Sequence, residues 1–127
     1  WAKNPHVPGY TANYGILLDM VGAKGAVFPR EGTGTHFAPD VVNKVWSIAK
    51  SIGNSSFFTD DITGNTTDDH LYVNTISKIP CIDIVHMSPV SGTYGEHHHT
   101  HKDNIDIIDK NTLKVVGQTV LEVLYQE

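Results

Sequence analysis

Apolar and polar positions along this chain fall into two periods, and the switches between them outline the fold. Residues Gly15 to Val21, GILLDMV, form a short apolar run broken by one acid and bounded by Gly15 and Gly22. That length and those flanks predict a buried central strand with Asp19 near its C-terminal end. The following segment, AKGAVFPREGTGTHFAP, carries Gly and Pro at intervals and reads as a loop. From Asp40 to Ile52 the period changes to that of a helix, with Val42, Val45, Trp46, Ala49 and Ile52 on one face and Gly53 as the stop. Trp46 is assigned to the core. Asn54 to Asp69 is polar and reads as a loop or hairpin anchored by Phe57 and Phe58. Ile79 to His86, IPCIDIVH, predicts a second buried strand. After a Gly- and His-rich loop, Asp109 or Asn111 caps a helix whose apolar face is Leu113, Val116, Val120, Leu121 and Leu124. Strand and helix alternate, which is the rhythm of an α/β sandwich.

With 127 residues, the chain has the size of a single domain with a single core. A net charge of -5 gives neither nucleic acid nor an anionic membrane surface anything to attract it. No apolar run reaches the roughly 18 to 20 residues needed to span a bilayer, and the first residues lack a signal-peptide layout. The lone cysteine, Cys81, lies in an apolar run, where a buried, inert thiol is expected. The chain opens at Trp1 without a methionine, as a piece cut from a longer polypeptide would.

Candidate chemistry concentrates in YGEHHHTHKDN, where four of the eight histidines, His97, His98, His99 and His101, fall within five residues. Neutral imidazole is the commonest side-chain metal ligand near neutral pH. Histidines in such a loop are also commonly just solvated, so clustering alone does not decide. Asp19 inside an apolar strand calls for a partner, a hydrogen bond or a metal, unless it emerges into solvent at the strand end. Asp68, Asp69 and His70 read either as a helix N-cap or as part of a site.

Five separated segments carry a resemblance: LLDMVGAKGAVFP from Leu17, TDDHLYVN from Thr67, IPCIDIV from Ile79, HTHKDN from His99 and IDKNTL from Ile108. In order and spacing they resemble the C-terminal half of the glutaminyl cyclases, within the zinc exopeptidases that include the two-zinc aminopeptidases. The resemblance implies a three-layer α/β/α sandwich, of which residues 1–127 are a single C-terminal portion. It also implies that His99 is a zinc ligand, selected over its neighbours by the count back from Asp103 and Asn104. Asp19 matches an acid that joins a carboxylate network in the cyclases and holds a second zinc in the peptidases. Asp68 matches a partner in that network, and peptidases usually show a small neutral residue there. His98 stands in the substrate pocket where cyclases carry Trp and peptidases often Tyr. The family's other ligands, an Asp and a Glu, and its acid/base Glu belong to the part preceding Trp1.

The implied activity is zinc-dependent conversion of N-terminal glutamine to pyroglutamate with release of ammonia, on peptide or protein N-termini. This chain alone is expected to be inactive. A zinc aminopeptidase is the alternative, with Asp19 on a second metal. A third reading is a non-catalytic metal-binding domain, since in an extended segment His97, His99 and His101 point to one face. An open sheet edge would favour self-association. Bacterial members of this family are typically exported, so the parent protein is expected in the periplasm or at the cell surface.

Overall fold

The computed structural model describes residues 1–127. Strand β1 (Gly15–Asp19) is followed by β2 (Phe28–Arg30), helix α1 (Gly32–Phe37), helix α2 (Pro39–Ser51) and β3 (Phe58–Ile62). The short helix α3 (Asp69–Tyr72) then runs into a π-helical turn (Val73–Ser77). It is followed by β4 (Cys81–Val85), a 3₁₀ turn (Ile105–Ile107) and α4 (Lys110–Tyr125). The expected α/β class is the observed one. β1 lies parallel to β4, Gly15 opposite Cys81 through Asp19 opposite Val85. β2 lies parallel to β3, and the Met87 N–H donating to the Val27 carbonyl at 3.2 Å joins the two pairs.

Every residue of β4 is buried, as its Ile- and Val-rich sequence predicts, and this includes Asp83. β1 is only half-buried and Leu18 is 46 % exposed, which corrects the expectation of a fully buried strand. The reason is positional: β1 pairs with β4 alone, so its other edge is open.

Two further expectations are corrected. The Gly- and Pro-bearing stretch after Gly22 holds β2 and α1, not loop alone. Glu31 makes α1 possible by capping it, its carboxylate accepting from the Thr33 and Gly34 amides at 2.7 Å each. Gly34 is required by packing, because a Cβ there would lie 3.3 Å from the Ile82 Cα of β4. The polar stretch after Asn54 is likewise no hairpin, for β3 runs parallel to β2 across the intervening helices.

α2 packs on α4, and the core between them and the strands includes Phe28, Val45, Trp46, Phe58, Ile82 and Val116. Trp46 is 2 % exposed, donates through Nε1 to the Phe28 carbonyl at 3.2 Å and meets the Phe58 ring edge-on. Asp109 caps α4 by accepting from the Asn111 amide at 2.8 Å. The buried face of that helix is Thr112, Val115, Val116, Thr119 and Val123, whereas Leu113, Leu121 and Leu124 are exposed. Thr119 can be buried because its hydroxyl donates to the Val115 carbonyl at 2.9 Å.

Candidate active site

Parallel strands deliver their C-terminal ends to one side of the sheet, and the acids of this chain gather there. Asp19 is the last residue of β1, beside Val85 at the end of β4. Asp68 precedes α3 and caps it, its Oδ1 accepting from the Asp69 amide at 2.6 Å. The capping role and the site role are therefore compatible. The Asp19 carboxyl is pushed above the usual carboxylate range, first by burial and then by the charge of Asp68, with Asp103 adding to it and His98 opposing it. Those acids share one field.

Behind them lies a buried layer that sequence reading missed. Asp83, in the middle of β4, is 2 % exposed, and neither of its oxygens has a hydrogen-bond partner. Burial, with the charges of Asp68, Asp19 and Glu31 acting against the attraction of His70, pushes its carboxyl up to about 8. His70 is fully buried, its Nε2 3.2 Å from Glu31 Oε2 and its Nδ1 3.9 Å from Asp83 Oδ2. Burial works against a charged ring, but the hydrogen bond and charge of Glu31, with help from Asp83 and Asp68, raise its pKa above the ordinary value. Glu31 also accepts from the Thr66 amide at 2.7 Å. Desolvation opposes its charge, yet His70 and three backbone amides hold its carboxyl down at about 2. The available signal was Asp83 itself, a charged residue inside an otherwise apolar strand.

Tyr94 and the histidine loop cover the site. The Tyr94 hydroxyl is shifted up by burial and then by Asp83, Asp68, Asp19 and Glu31, and its ring lies 4.4 Å from that of His98. His98 stacks on His99 at 3.7 Å between centroids. His97 lines a cavity of about 250 Å³ together with Asp19 and Asp103, and its ring is parallel to that of His86. The expected extended segment is corrected: residues 96–102 pass through consecutive turns, and His99 adopts a left-handed backbone with φ 56°. His97, His99 and His101 thus do not alternate on the face of a strand.

No three His, Cys, Asp or Glu side chains converge closely enough to hold a metal ion. A catalytic zinc takes about three protein ligands, so this chain does not gather such a set by itself.

A parallel α/β core with interacting carboxylates at the strand C-termini and histidine-bearing loops above them is the layout of an α/β enzyme. The model of peptidase family M28 matches residues 1–124, and the chain belongs to that family. Three solved structures illustrate the similarity. A Bacteroides thetaiotaomicron glutaminyl cyclase bound to N-acetylhistamine is 51 % identical with a TM-score of 0.96, over 100 % of this chain and 43 % of that one. A leucine aminopeptidase precursor from the same species is 50 % identical with a TM-score of 0.94, over 100 % and 42 %. A Zn-dependent exopeptidase from Parabacteroides distasonis is 49 % identical with a TM-score of 0.96, over 100 % and 44 %. The chain thus spans less than half the length of each. No curated protein sequence matches it.

Proposed function

We propose that this chain carries the carboxylate network and one zinc donor of a glutaminyl-peptide cyclotransferase, which converts N-terminal glutamine to pyroglutamate and releases ammonia. The observation that carries the reading is the coupling of Asp19 to Asp68 at the strand C-termini, where Asp19 is drawn toward holding a proton. In this reading the two acids act on a glutamate from the rest of the catalytic domain. Crowded carboxylates cannot all ionise cheaply, so they raise the proton affinity of that glutamate and suit it to move a proton near neutral pH. His98, with Tyr94 beside it, walls the pocket that receives the N-terminal residue. His99 is the zinc donor supplied by this chain, and the remaining ligands come from the rest of the domain.

The similarity to a leucine aminopeptidase precursor favours a second reading, in which Asp19 binds a second zinc and the first peptide bond is hydrolysed. Assays separate the two. The polypeptide that carries this chain within a whole catalytic domain is expected to convert Gln-peptides to pyroglutamyl-peptides, and Asp68→Asn to lower kcat about 10²-fold. Release of free amino acids from aminoacyl anilides, with no ring closure on Gln-peptides, would replace the cyclase by the peptidase. The substrates are peptide or protein N-termini under either reading, and the parent protein is assigned to the periplasm or cell surface. No helix is long and apolar enough to cross a membrane.

The open edge of β1 leads to a separate expectation for residues 1–127 alone. Its unpaired backbone and the exposed Leu18 should drive self-association through that edge. Sedimentation velocity should then show a weight-average mass that rises with concentration. A monomer at every concentration would remove the edge from consideration.

A further inference from the structure

The turn that carries Asp68 is held in place by very little apolar packing. Of the four residues of α3, His70 is the only buried one. Its ring enters a dry space between three elements: Glu31 ahead of α1, Asp83 on β4 and its own helix. Asn74, in the next turn, adds a tie by donating to the carbonyls of His70 at 2.8 Å and Cys81 at 2.7 Å. Asp68 in turn is fixed to this helix through the Asp69 amide and through its own carbonyl, which accepts from the Leu71 amide at 3.0 Å. Any movement of His70 is therefore transmitted to Asp68.

We propose that His70 is a positioning residue: its ring, gripped by Glu31 at Nε2 and facing Asp83 at Nδ1, fixes the short helix that Asp68 caps, and so holds Asp68 at the strand ends beside Asp19. The functional consequence rests on the reading that Asp68 serves the acid network, whereas the clamp itself does not. Buried ion pairs contribute little net stability compared with apolar packing, but they hold one geometry and fail abruptly when a partner is lost. The charge balance fits the role. Glu31 is held ionised and its charge favours the protonated form of the His70 ring, while burial draws Asp83 toward its neutral form. The unpartnered Nδ1 and Oδ2 face each other 3.9 Å apart, beyond hydrogen-bond distance. The other titratable groups around the ring are Asp68 just ahead of α3, Asp69 on it, Cys81 on β4, and Tyr10 and Tyr14 ahead of β1.

Nuclear magnetic resonance on the chain of residues 1–127 tests the clamp without metal or substrate. In the wild type, the His70 ring should keep both protons to a higher pH than an exposed histidine does. The amide signal of Asp69 should shift with the same midpoint as the ring. Asp83→Asn, which removes the acid and keeps its shape, should preserve that linkage. His70→Gln, which keeps a donor toward Glu31 but no charge, should abolish that step and speed Asp69 amide exchange about ten-fold, as expected for loss of a charged hydrogen bond. A His70 ring that titrates no higher than an exposed histidine, or an Asp69 amide indifferent to the ring's titration, overturns the proposal. If His70→Gln does not fold, the wild-type and Asp83→Asn titrations decide. Failure of the cyclase reading would appear in the peptide assays and leave these titrations unchanged.

Discussion

Replacing Glu31 by glutamine is expected to destabilise the chain by about 3–5 kcal/mol, the range for breaking a buried ion pair from one side. Each carboxylate oxygen now has two donors near it: Oε1 takes the Thr33 and Thr66 amides, and Oε2 takes the Gly34 amide and His70 Nε2. Glutamine must present an NH₂ group to one of these donor pairs, so two interactions turn repulsive while His70 loses its counter-charge. The damage also reaches the strand ends, because Thr66 and α1 are both pinned by the same side chain. Urea unfolding monitored by circular dichroism reads the difference. A variant within about 1 kcal/mol of the wild type would mean that the ion pair contributes only what an exposed one does.

The second large effect is on the pH dependence of stability, where Glu31 opposes Asp83 and His70. The folded pKa of Glu31, about 2, lies below the ordinary 4.5. Its contribution is present in full above 4.5 and is lost as pH falls through 2; the shift corresponds to about 3 kcal/mol. Asp83 has the reverse sign. Its folded value of about 8 lies above the ordinary 3.8, so the native state holds the extra proton and becomes less stable as pH rises between those values. His70, raised above 6.5, contributes most below 6.5 and loses that contribution as pH rises through its folded value. Stability should therefore peak at about pH 4 to 5 and decline toward pH 8. Urea midpoints measured across this range should show the decline in the wild type and a flatter profile for Asp83→Asn. Parallel profiles would show that Asp83 does not hold its proton in the folded chain.

The elements legible in the sequence were those with a long, clean period. β4 and α2 fall within about two residues of where their patterns place them, because an Ile- and Val-rich run and a helical stripe of Val42, Val45, Trp46 and Ala49 are hard to satisfy in any other way, although Ile52 falls beyond the helix and is exposed. β2 and α1 were not legible. Phe28-Pro29-Arg30 is too short for a period, and GTGTHF has poor helix propensity, so both depend on tertiary contacts, the Glu31 cap and the β3 partner. On α4 the leucines were a misleading guide. The helix turns a stripe of Thr and Val inward, whose small size suits a close approach to α2.

The site divides in the same way. Asp19 stood out in the sequence as an acid inside an apolar strand, whereas Asp68 read there as a helix cap and was drawn to a site only by the family resemblance. Glu31, His70 and Asp83 come from three distant segments and mean something only once the fold brings them together. The short backbone hydrogen bonds of Glu31 had no counterpart in the local sequence. The histidine loop illustrates the converse. One alternative put His97, His99 and His101 on one face of an extended segment, but the His98 amide donating to the Gly95 carbonyl and the left-handed His99 belong to a run of successive turns.

The placement of Cys81 decides how reactive its thiol can be. Its sulfur occupies the space over Gly15, 2.9 Å from where a side-chain carbon there would begin, and only 5 % of the residue meets solvent. Burial, reinforced by Asp83, pushes the thiol up to about 11, so almost none of it is thiolate near neutral pH. Peroxide and disulfide donors attack through the thiolate and need access to it. Cys81 is therefore expected to resist oxidation and cross-linking between copies of the chain.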